Sequence, residues 1–130
     1  MLQKENDKPY ISAPLQEFNR IYKKSNEIYH HIALQLGLSN SAFDILYSIC
    51  ELGDGCLQKD ICAATFIPKQ TVNSSIRQME TAGYLTLSSG KGRSMHINLT
   101  DAGQSLLENT IYPVMQMESE AFQCMSDKEC

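Results

Sequence analysis

Apolar side chains recur along the first third of the chain at alternating intervals of three and four residues. With one serine among them, the positions are Leu15, Phe18, Tyr22, Ser25, Tyr29, Ile32 and Leu36. This spacing predicts a long amphipathic helix that ends at Gly37. A second apolar line through Ile21 and Ile28 makes the apolar face wider than one small core requires. We therefore expect this helix to pack against a partner helix.

A second helix is predicted to begin after Ser39, whose hydroxyl can accept a hydrogen bond from the first turn. Its inward-facing side chains are expected to be Phe43, Leu46, Ile49 and Cys50. The Gly-Asp-Gly sequence at 53–55 then predicts a turn. We expect this helix to pack against the segment that follows it and to stabilise that segment.

The pattern of apolar and polar residues in the segment 57–103 predicts, in order, a short helix, a turn, a second helix, a hairpin and a third helix. The short helix covers 58–65, with apolar positions at Ile61, Cys62 and Ala64. Pro68 opens the second helix, because the first turn of a helix does not need the N–H that proline lacks. In that helix the apolar positions Val72, Ile76 and Met79 form one buried stripe, and Gly83 supplies the stop.

The opposite face of the second helix is polar and has no carboxylate before Glu80. Its side chains are Lys69, Gln70, Thr71, Asn73, Ser74 and Arg77. Such groups can donate to phosphates and to base edges in the major groove of DNA. We expect the four uncharged side chains to contact bases, and Lys69 and Arg77 to contact both bases and phosphates.

Two strands are predicted after the helix stop, at 84–88 and 95–99, with a polar turn at 89–94 between them. The turn contains Lys91 and Arg93, which gives the hairpin a basic tip. The segment thus predicts a helix-turn-helix followed by a β wing, and the whole chain a mainly α fold with a small β wing (α+β).

The residues of this segment resemble the winged helix-turn-helix of the MarR family of bacterial transcription regulators. The shared motifs are Thr71-Val72, Met79-Glu80-x-x-Gly83, and the spacing from Arg93 to Leu99-Thr100-x-x-Gly103. The wing is shorter than is usual in the family, and Lys91 stands where the family generally has an aspartate that helps to aim the wing arginine. We therefore expect binding to depend on electrostatics more than on sharp sequence readout.

The resemblance implies a homodimeric transcription factor, with a repressor expected, that binds a near-palindromic operator and leaves it when a small effector binds. It implies a flexible segment at 1–13, a dimerisation helix at 14–37, a DNA-binding region at 38–103 and a second dimerisation helix at 104–130, all within one domain. An aromatic effector could bind between the dimerisation helices and the winged region, near Tyr22, Tyr29 and Tyr47. Packing of these tyrosines in the core is the alternative.

The last predicted helix begins at Thr100, which can cap it, and continues through Leu106, Leu107 and Ile111. Pro113 is expected to kink or divide it before the apolar positions resume. Ser126-Asp127-Lys128-Glu129 has the form of a helix capping box, which predicts that the natural protein continues with a further helix.

Charge is unevenly distributed along the chain, whose formal net charge is −4. Residues 57–100 hold five basic and two acidic side chains, a net charge of +3, and the remainder holds six basic and thirteen acidic ones, a net charge of −7. This asymmetry concentrates the attraction for phosphate on the winged segment. Because no stretch has the length and hydropathy of a membrane span and no secretion signal is present, we predict a cytoplasmic protein.

Other chemistries find little support in the sequence. The five cysteines form no C-x-x-C pair, so a thiol-based redox-sensing regulator is a minor alternative in which Cys56, Cys124 or Cys130 would be the exposed thiol. The histidines do not have the spacing of a helical metal site, and we predict no metal and no cofactor. No catalytic motif is present, so we predict that the chain is not an enzyme. A winged-helix protein-interaction module is the remaining alternative.

Overall fold

Five helices and one two-stranded hairpin make up the part of the chain that the structure describes. This computed structural model describes residues 9–89 and 95–129, with side chains as far as Met125. The elements are α1 (Ala13–Gln35), α2 (Asn40–Leu52), α3 (Gln58–Ala64), α4 (Lys69–Thr81), β1 (Leu85–Ser89), β2 (Met95–Leu99) and α5 (Asp101–Glu129). The predicted fold class, mainly α with a small β wing, is confirmed.

The first two helices begin at serine caps. The Leu15 amide donates to Oγ of Ser12 over 3.3 Å, so α1 begins within the segment that was expected to be flexible. Residues 1–8 lie outside the described residues. The Ala42 amide donates to Oγ of Ser39 over 3.0 Å, which confirms the predicted cap of α2. Both caps satisfy a backbone N–H that has no partner inside the helix.

The core lies between α2, α4, the hairpin and the first half of α5. The predicted stripe of α4 is fully part of it, since Val72, Ile76 and Met79 are all buried. Helix α1 contributes only Ala33 to the buried set of the described residues. Much of the apolar face of α1 is therefore exposed to solvent in a single copy of the chain.

The wing is an antiparallel hairpin in which Leu85 pairs with Leu99 and Ser89 with Met95. Its second strand is also held by the turn that follows α2. The Gly55 amide donates to the Ile97 carbonyl, and the Ile97 amide donates to the Cys56 carbonyl, each over 2.8 Å. The root of the wing is consequently paired on both sides of β2.

His96 lies in the second strand of the wing. It is half-buried, and its Nδ1 lies 2.8 Å from the carbonyl oxygen of Gly55. The imidazole therefore helps to attach the wing to the turn after α2. The sequence pattern of the strand does not contain this contact, because Gly55 is 41 residues away.

Helix α5 is continuous from Asp101 to Glu129, with Pro113 inside it. Of the two alternatives expected at Pro113, division of the helix is wrong, whereas a kink stays a prediction. Proline removes one backbone hydrogen bond from a helix, but Ile111 and Val114 on either side are buried in the core and hold both turns. The capping box predicted at Ser126 is also wrong, since this residue continues the helix.

The junction between the wing and α5 depends on Thr100, the predicted cap of α5. The Gly103 amide donates to Oγ1 of Thr100 over 3.0 Å, which confirms the cap. The same hydroxyl donates to the Gly83 carbonyl over 2.6 Å, and the Thr100 amide donates to the Tyr84 carbonyl over 3.1 Å. Gly103 faces that carbonyl so closely that a Cβ would lie 2.0 Å from the Tyr84 oxygen.

We predict that Gly103→Ala lowers the free energy of unfolding by about 2 to 3 kcal/mol, because the added methyl group forces α5 away from Tyr84. Urea denaturation followed by circular dichroism measures this change. Ser105→Ala, at an exposed position of the same helix, is the control and should change the free energy by less than about 0.5 kcal/mol. Equal stability of the two variants would contradict the close contact.

Candidate nucleic-acid interface

Helix α4 presents a polar face opposite its buried stripe. Lys69, Asn73 and Arg77 follow one another at intervals of four residues and so form a line along the helix. Lys69 and Arg77 are exposed, whereas Asn73 is half-buried where α4 meets α3. A cation at each end of this line and a carboxamide between them match the needs of phosphate and base contacts.

The structure places the other predicted contact residues around this line. Gln70 and Ser74 are exposed on the same side of α4, and Thr71 is half-buried at its margin. Lys91 and Arg93, predicted at the tip of the wing, lie outside the described residues. The helix part of the predicted site is thus present as one surface, with Thr71 at its edge.

A shallow groove of about 380 Å³ borders the polar face where α3, α4 and β2 meet. It is lined by Gln58, Lys59, Cys62, Lys69, Asn73, Arg77 and Met95. Lys59 was not predicted as a contact residue, although its position two residues before the buried Ile61 indicates an exposed side chain. Three cations therefore surround one groove at the start of the wing.

The carboxylate of Glu80 is a weak partner for this surface. Arg77 Nη1 lies 3.9 Å from Glu80 Oε1, and both side chains have substantial contact with solvent. Exposed ion pairs of this kind contribute about 0 to 1 kcal/mol. The guanidinium of Arg77 is therefore available to a phosphate or a base.

A second candidate site lies between α1, α2 and α5, around the carboxylate of Glu118. Tyr47 donates to Oε1 over 2.6 Å, and Tyr29 donates to Oε2. Burial, with a further contribution from Glu118, raises the pKa of Tyr29 to about 12 and raises the pKa of Tyr47 still further. Both hydroxyls are consequently protonated donors at neutral pH, and one carboxylate connects three helices.

These groups line an open cavity of about 340 Å³. Its lining consists of Asn26, Tyr29, Phe43, Asp44, Tyr47, Ser48, Glu51, Ala64, Thr65, Phe66 and Glu118. Three carboxylates and four aromatic rings are present in this set, which contains no basic side chain. Partial burial raises the pKa of Asp44, although this residue remains exposed at the edge of the cavity.

The structure brings together two of the three tyrosines predicted for an effector pocket. Tyr29 and Tyr47 share the cavity, but Tyr22 is 58% exposed and stacks on Phe18 with ring centroids 6.1 Å apart. Glu118 and Phe66 also line this cavity and were not predicted as site residues. Glu118 follows the apolar Met117, and nothing in its local sequence indicates the two tyrosines that it binds.

Three of the four cysteines among the described residues are half-buried, as is usual for cysteines with a structural role. Cys50, Cys56 and Cys62 are half-buried, and burial raises the pKa of the Cys50 and Cys56 thiols. The expectation that Cys56 is an exposed thiol is therefore wrong. Cys124 is exposed, and Cys130 lies outside the described residues.

Within 9–89 and 95–129 the structure contains no group of three His, Cys, Asp or Glu side chains arranged to hold a metal ion. None of the helices in the same ranges has the length and hydropathy needed to cross a membrane.

The central part of the chain is similar in sequence to a known protein family. A sequence model of the MarR family matches residues 36–94, from the end of α1 to the wing. This part of the chain is therefore similar to the winged helix-turn-helix of the MarR family. The match covers α2, α3, α4 and the first wing strand, and so includes the polar face of α4.

Solved structures extend the MarR-like fold over most of the chain. A MarR family regulator from Neisseria meningitidis superposes with a TM-score of 0.74 at 20% identity, over 90% of this chain and 83% of that chain. A MepR mutant of Staphylococcus aureus bound to an oligodeoxyribonucleotide gives 0.56 at 22% identity, over 92% and 88%. NadR in complex with 4-hydroxyphenylacetate gives 0.73 at 14% identity, over 94% and 87%. The comparison with curated proteins found no match.

Proposed function

We propose that this chain is a cytoplasmic, DNA-binding transcriptional repressor. The observation that carries the proposal is the line of Lys69, Asn73 and Arg77 on the outer face of a MarR-family recognition helix, beside a groove that also holds Lys59. In this arrangement α4 lies in the major groove, and the cations at the ends of the line contact phosphates or base edges. The basic wing residues Lys91 and Arg93 contact the adjacent backbone or minor groove.

The charge distribution supports DNA as the partner. The segment 57–100 has a net charge of +3, whereas the rest of the chain has −7. Such a chain approaches a polyanion with its winged segment first and repels it elsewhere. The similar structure of MepR, which is bound to an oligodeoxyribonucleotide, supports this choice of partner.

The proposed active form is a homodimer joined through α1 and the end of α5. The exposed apolar side chains of a single copy concentrate there, at Leu15, Phe18, Ile21, Tyr22 and Ile28 of α1 and at Met117, Phe122 and Met125 of α5. Pairing two copies through these faces buries them and gives the dimer a twofold axis. Two recognition helices would then lie roughly 34 Å apart, and the operator is a near-palindrome.

The proposed effector is a small aromatic molecule that binds in the cavity around Glu118. NadR is in complex with 4-hydroxyphenylacetate, an anion, but the cavity of this chain contains Asp44, Glu51 and Glu118 and no basic lining residue. An anionic ligand would be repelled there, while aromatic rings and carboxylates together attract an aromatic cation. A ligand that replaces Tyr29 or Tyr47 at Glu118 changes how α5 is held against α1 and α2, and so alters DNA binding.

For DNA binding, we predict that Arg77→Ala and Arg93→Ala each weaken binding and reduce the salt dependence of log K by about one unit, since each removes a phosphate contact. Fluorescence anisotropy with DNA from upstream of the protein's own gene, over a salt series, measures both effects. Lys23→Ala removes the same charge from an exposed position of α1 and should leave the slope unchanged. Binding no tighter than to random duplex, with all variants alike, would exclude this interface.

For the dimer, we predict that Phe18→Asp converts the protein to a monomer, because it puts a charge in the centre of the apolar face of α1. Sedimentation equilibrium measures the mass of the species in solution. Phe18 is 61% exposed in a single copy, so the change should not unfold the chain. Asn19→Asp, outside that face, is the control, and a Phe18→Asp variant that remains dimeric would place the interface elsewhere.

For the effector, we predict that benzyltrimethylammonium binds at least about tenfold more tightly than phenylacetate, which has the opposite charge. Isothermal titration calorimetry measures both dissociation constants. Glu118→Gln should weaken binding of the cation about fivefold or more, whereas Glu120→Gln, at an exposed position that does not line the cavity, should have no effect. Tighter binding of phenylacetate would contradict the proposal that the effector is an aromatic cation.

A further inference from the structure

A groove of about 610 Å³ lies between α1 and α5. Apart from Tyr29, its apolar lining residues are Ile21, Ile28, Ile32, Val114, Met117 and Ala121. Three of these, Ile21, Ile28 and Met117, are exposed in a single copy and belong to the faces that pair in the proposed dimer. A second copy that covers those faces therefore also covers the groove.

Tyr29 and Glu118 line this groove and also line the cavity proposed for the effector (the effector cavity), and no other described residue lines both. The two side chains are half-buried, and the Tyr29 hydroxyl donates to Oε2 of Glu118. Tyr47 donates to the other oxygen, Oε1, and lines only the effector cavity. The carboxylate of Glu118 thus faces the effector on one side and the groove on the other.

Glu118 has no cationic partner among the described side chains. Arg20, which lines the groove, pairs with Glu17 of its own helix, and Lys24 forms no ion pair in the described part of the chain. The negative charge of Glu118 is consequently stabilised by two tyrosine hydroxyls and by the solvent that reaches this half-buried side chain.

Dimerisation changes the surroundings of this charge. When the second copy covers the groove, water no longer reaches Glu118 from that side. Removing water from an ionised carboxylate costs free energy, and a cation close to the carboxylate offsets that cost. The attraction between a cation and a carboxylate also becomes stronger as water is excluded. A cation in the effector cavity therefore offsets a cost that arises in the dimer interface.

We propose that Glu118 links effector binding to dimerisation, so that a cationic effector and a second copy of the chain strengthen each other's binding. Because such linkage is reciprocal, the factor by which each bound cation tightens the dimer equals the factor by which dimerisation tightens binding of that cation. The effector then acts on an intact dimer, and DNA is released by a change in how the helices are held. The inference rests on the proposed function, which supplies the dimer and the effector cavity.

The first test is the dimer dissociation constant of the full chain, measured by sedimentation equilibrium over a dilution series with and without benzyltrimethylammonium. Saturating cation should lower this constant at least about 25-fold, which is about fivefold for each of the two bound cations. Benzyl alcohol, which is uncharged, and sodium chloride at the same ionic strength should change it less than about twofold. A constant that rises or stays unchanged with the cation would overturn the inference.

The reciprocal effect is measured by isothermal titration calorimetry with the monomeric Phe18→Asp variant. Phe18 lines neither the groove nor the effector cavity. This variant should bind benzyltrimethylammonium at least about fivefold more weakly than the wild type does. Equal or tighter binding by the monomer would contradict the proposed linkage.

Glu118→Gln removes the charge and keeps both contacts, since the carboxamide can accept from one tyrosine and donate to the other. Without the cation its dimer should be at least about fivefold tighter than that of the wild type, because no charge is desolvated, and the cation should change it less than about twofold. Glu120→Gln removes the same charge from an exposed position that lines neither the groove nor the effector cavity, so it should behave as the wild type does. Equal effects of the two substitutions would overturn the inference.

The two tyrosines test which side of the carboxylate the second copy covers. Tyr29→Phe removes the donor to Oε2 on the groove side, where the second copy excludes the water that could replace it, and should weaken the dimer about fivefold. Tyr47→Phe removes the donor to Oε1 on the side of the effector cavity, which stays open to solvent, and should change the dimer less than about twofold. Equal changes in the two variants would count against the inference.

Failure of the inference and failure of the proposed function give different results. A dimer that binds the cation without any change in either dissociation constant would overturn the inference alone. A monomeric wild type would refute the proposed dimer, and a wild type that does not bind the cation would refute the proposed effector; each of these results would overturn the inference as well.

Discussion

The approach of α5 to the backbone carbonyl of Tyr84 is the contact on which the winged region depends. The Thr100 amide donates to this carbonyl, and Gly103 lies against it where no side chain fits. The Thr100 hydroxyl connects the same place to Gly83, the residue that ends α4. The end of α4, both wing strands and the start of α5 therefore meet at one point. Their relative angles are set there, by backbone groups and one hydroxyl.

Local patterns predicted the elements of this region, and distant contacts account for what they missed. The stripe of α4, its glycine stop and the hairpin depend on residues close in sequence, and their periodicity is sufficient to predict them. Pro113 and the Ser-x-x-Glu sequence at 126–129 are local signals of helix ends, but α5 continues through both. For Pro113, burial of Ile111 and Val114 in the core outweighs the lost hydrogen bond.

In the candidate sites too, local patterns predicted some residues, and contacts between distant residues account for the others. The polar face of α4 follows from helical spacing, so its residues could be named from the sequence. Gln58 reaches Asn73 across 15 residues, and Glu118 reaches Tyr29 and Tyr47 across 89 and 71 residues. No periodicity or motif contains pairs so far apart. They arise only when α3 packs beside α4, and when α5 packs across α1 and α2.

Helix α5 also has a mechanical consequence, because one continuous element extends from the wing junction to the exposed apolar turns at its far end. Its 29 residues make a rod of about 43 Å at a rise of 1.5 Å per residue. A tilt of about 5° at Thr100 moves the opposite end of such a rod by roughly 4 Å. A small rotation at the wing junction is thus amplified along α5, and Glu118 lies part-way along this helix. An adjustment smaller than one bond length at the wing becomes a displacement of several ångströms at the far end of α5.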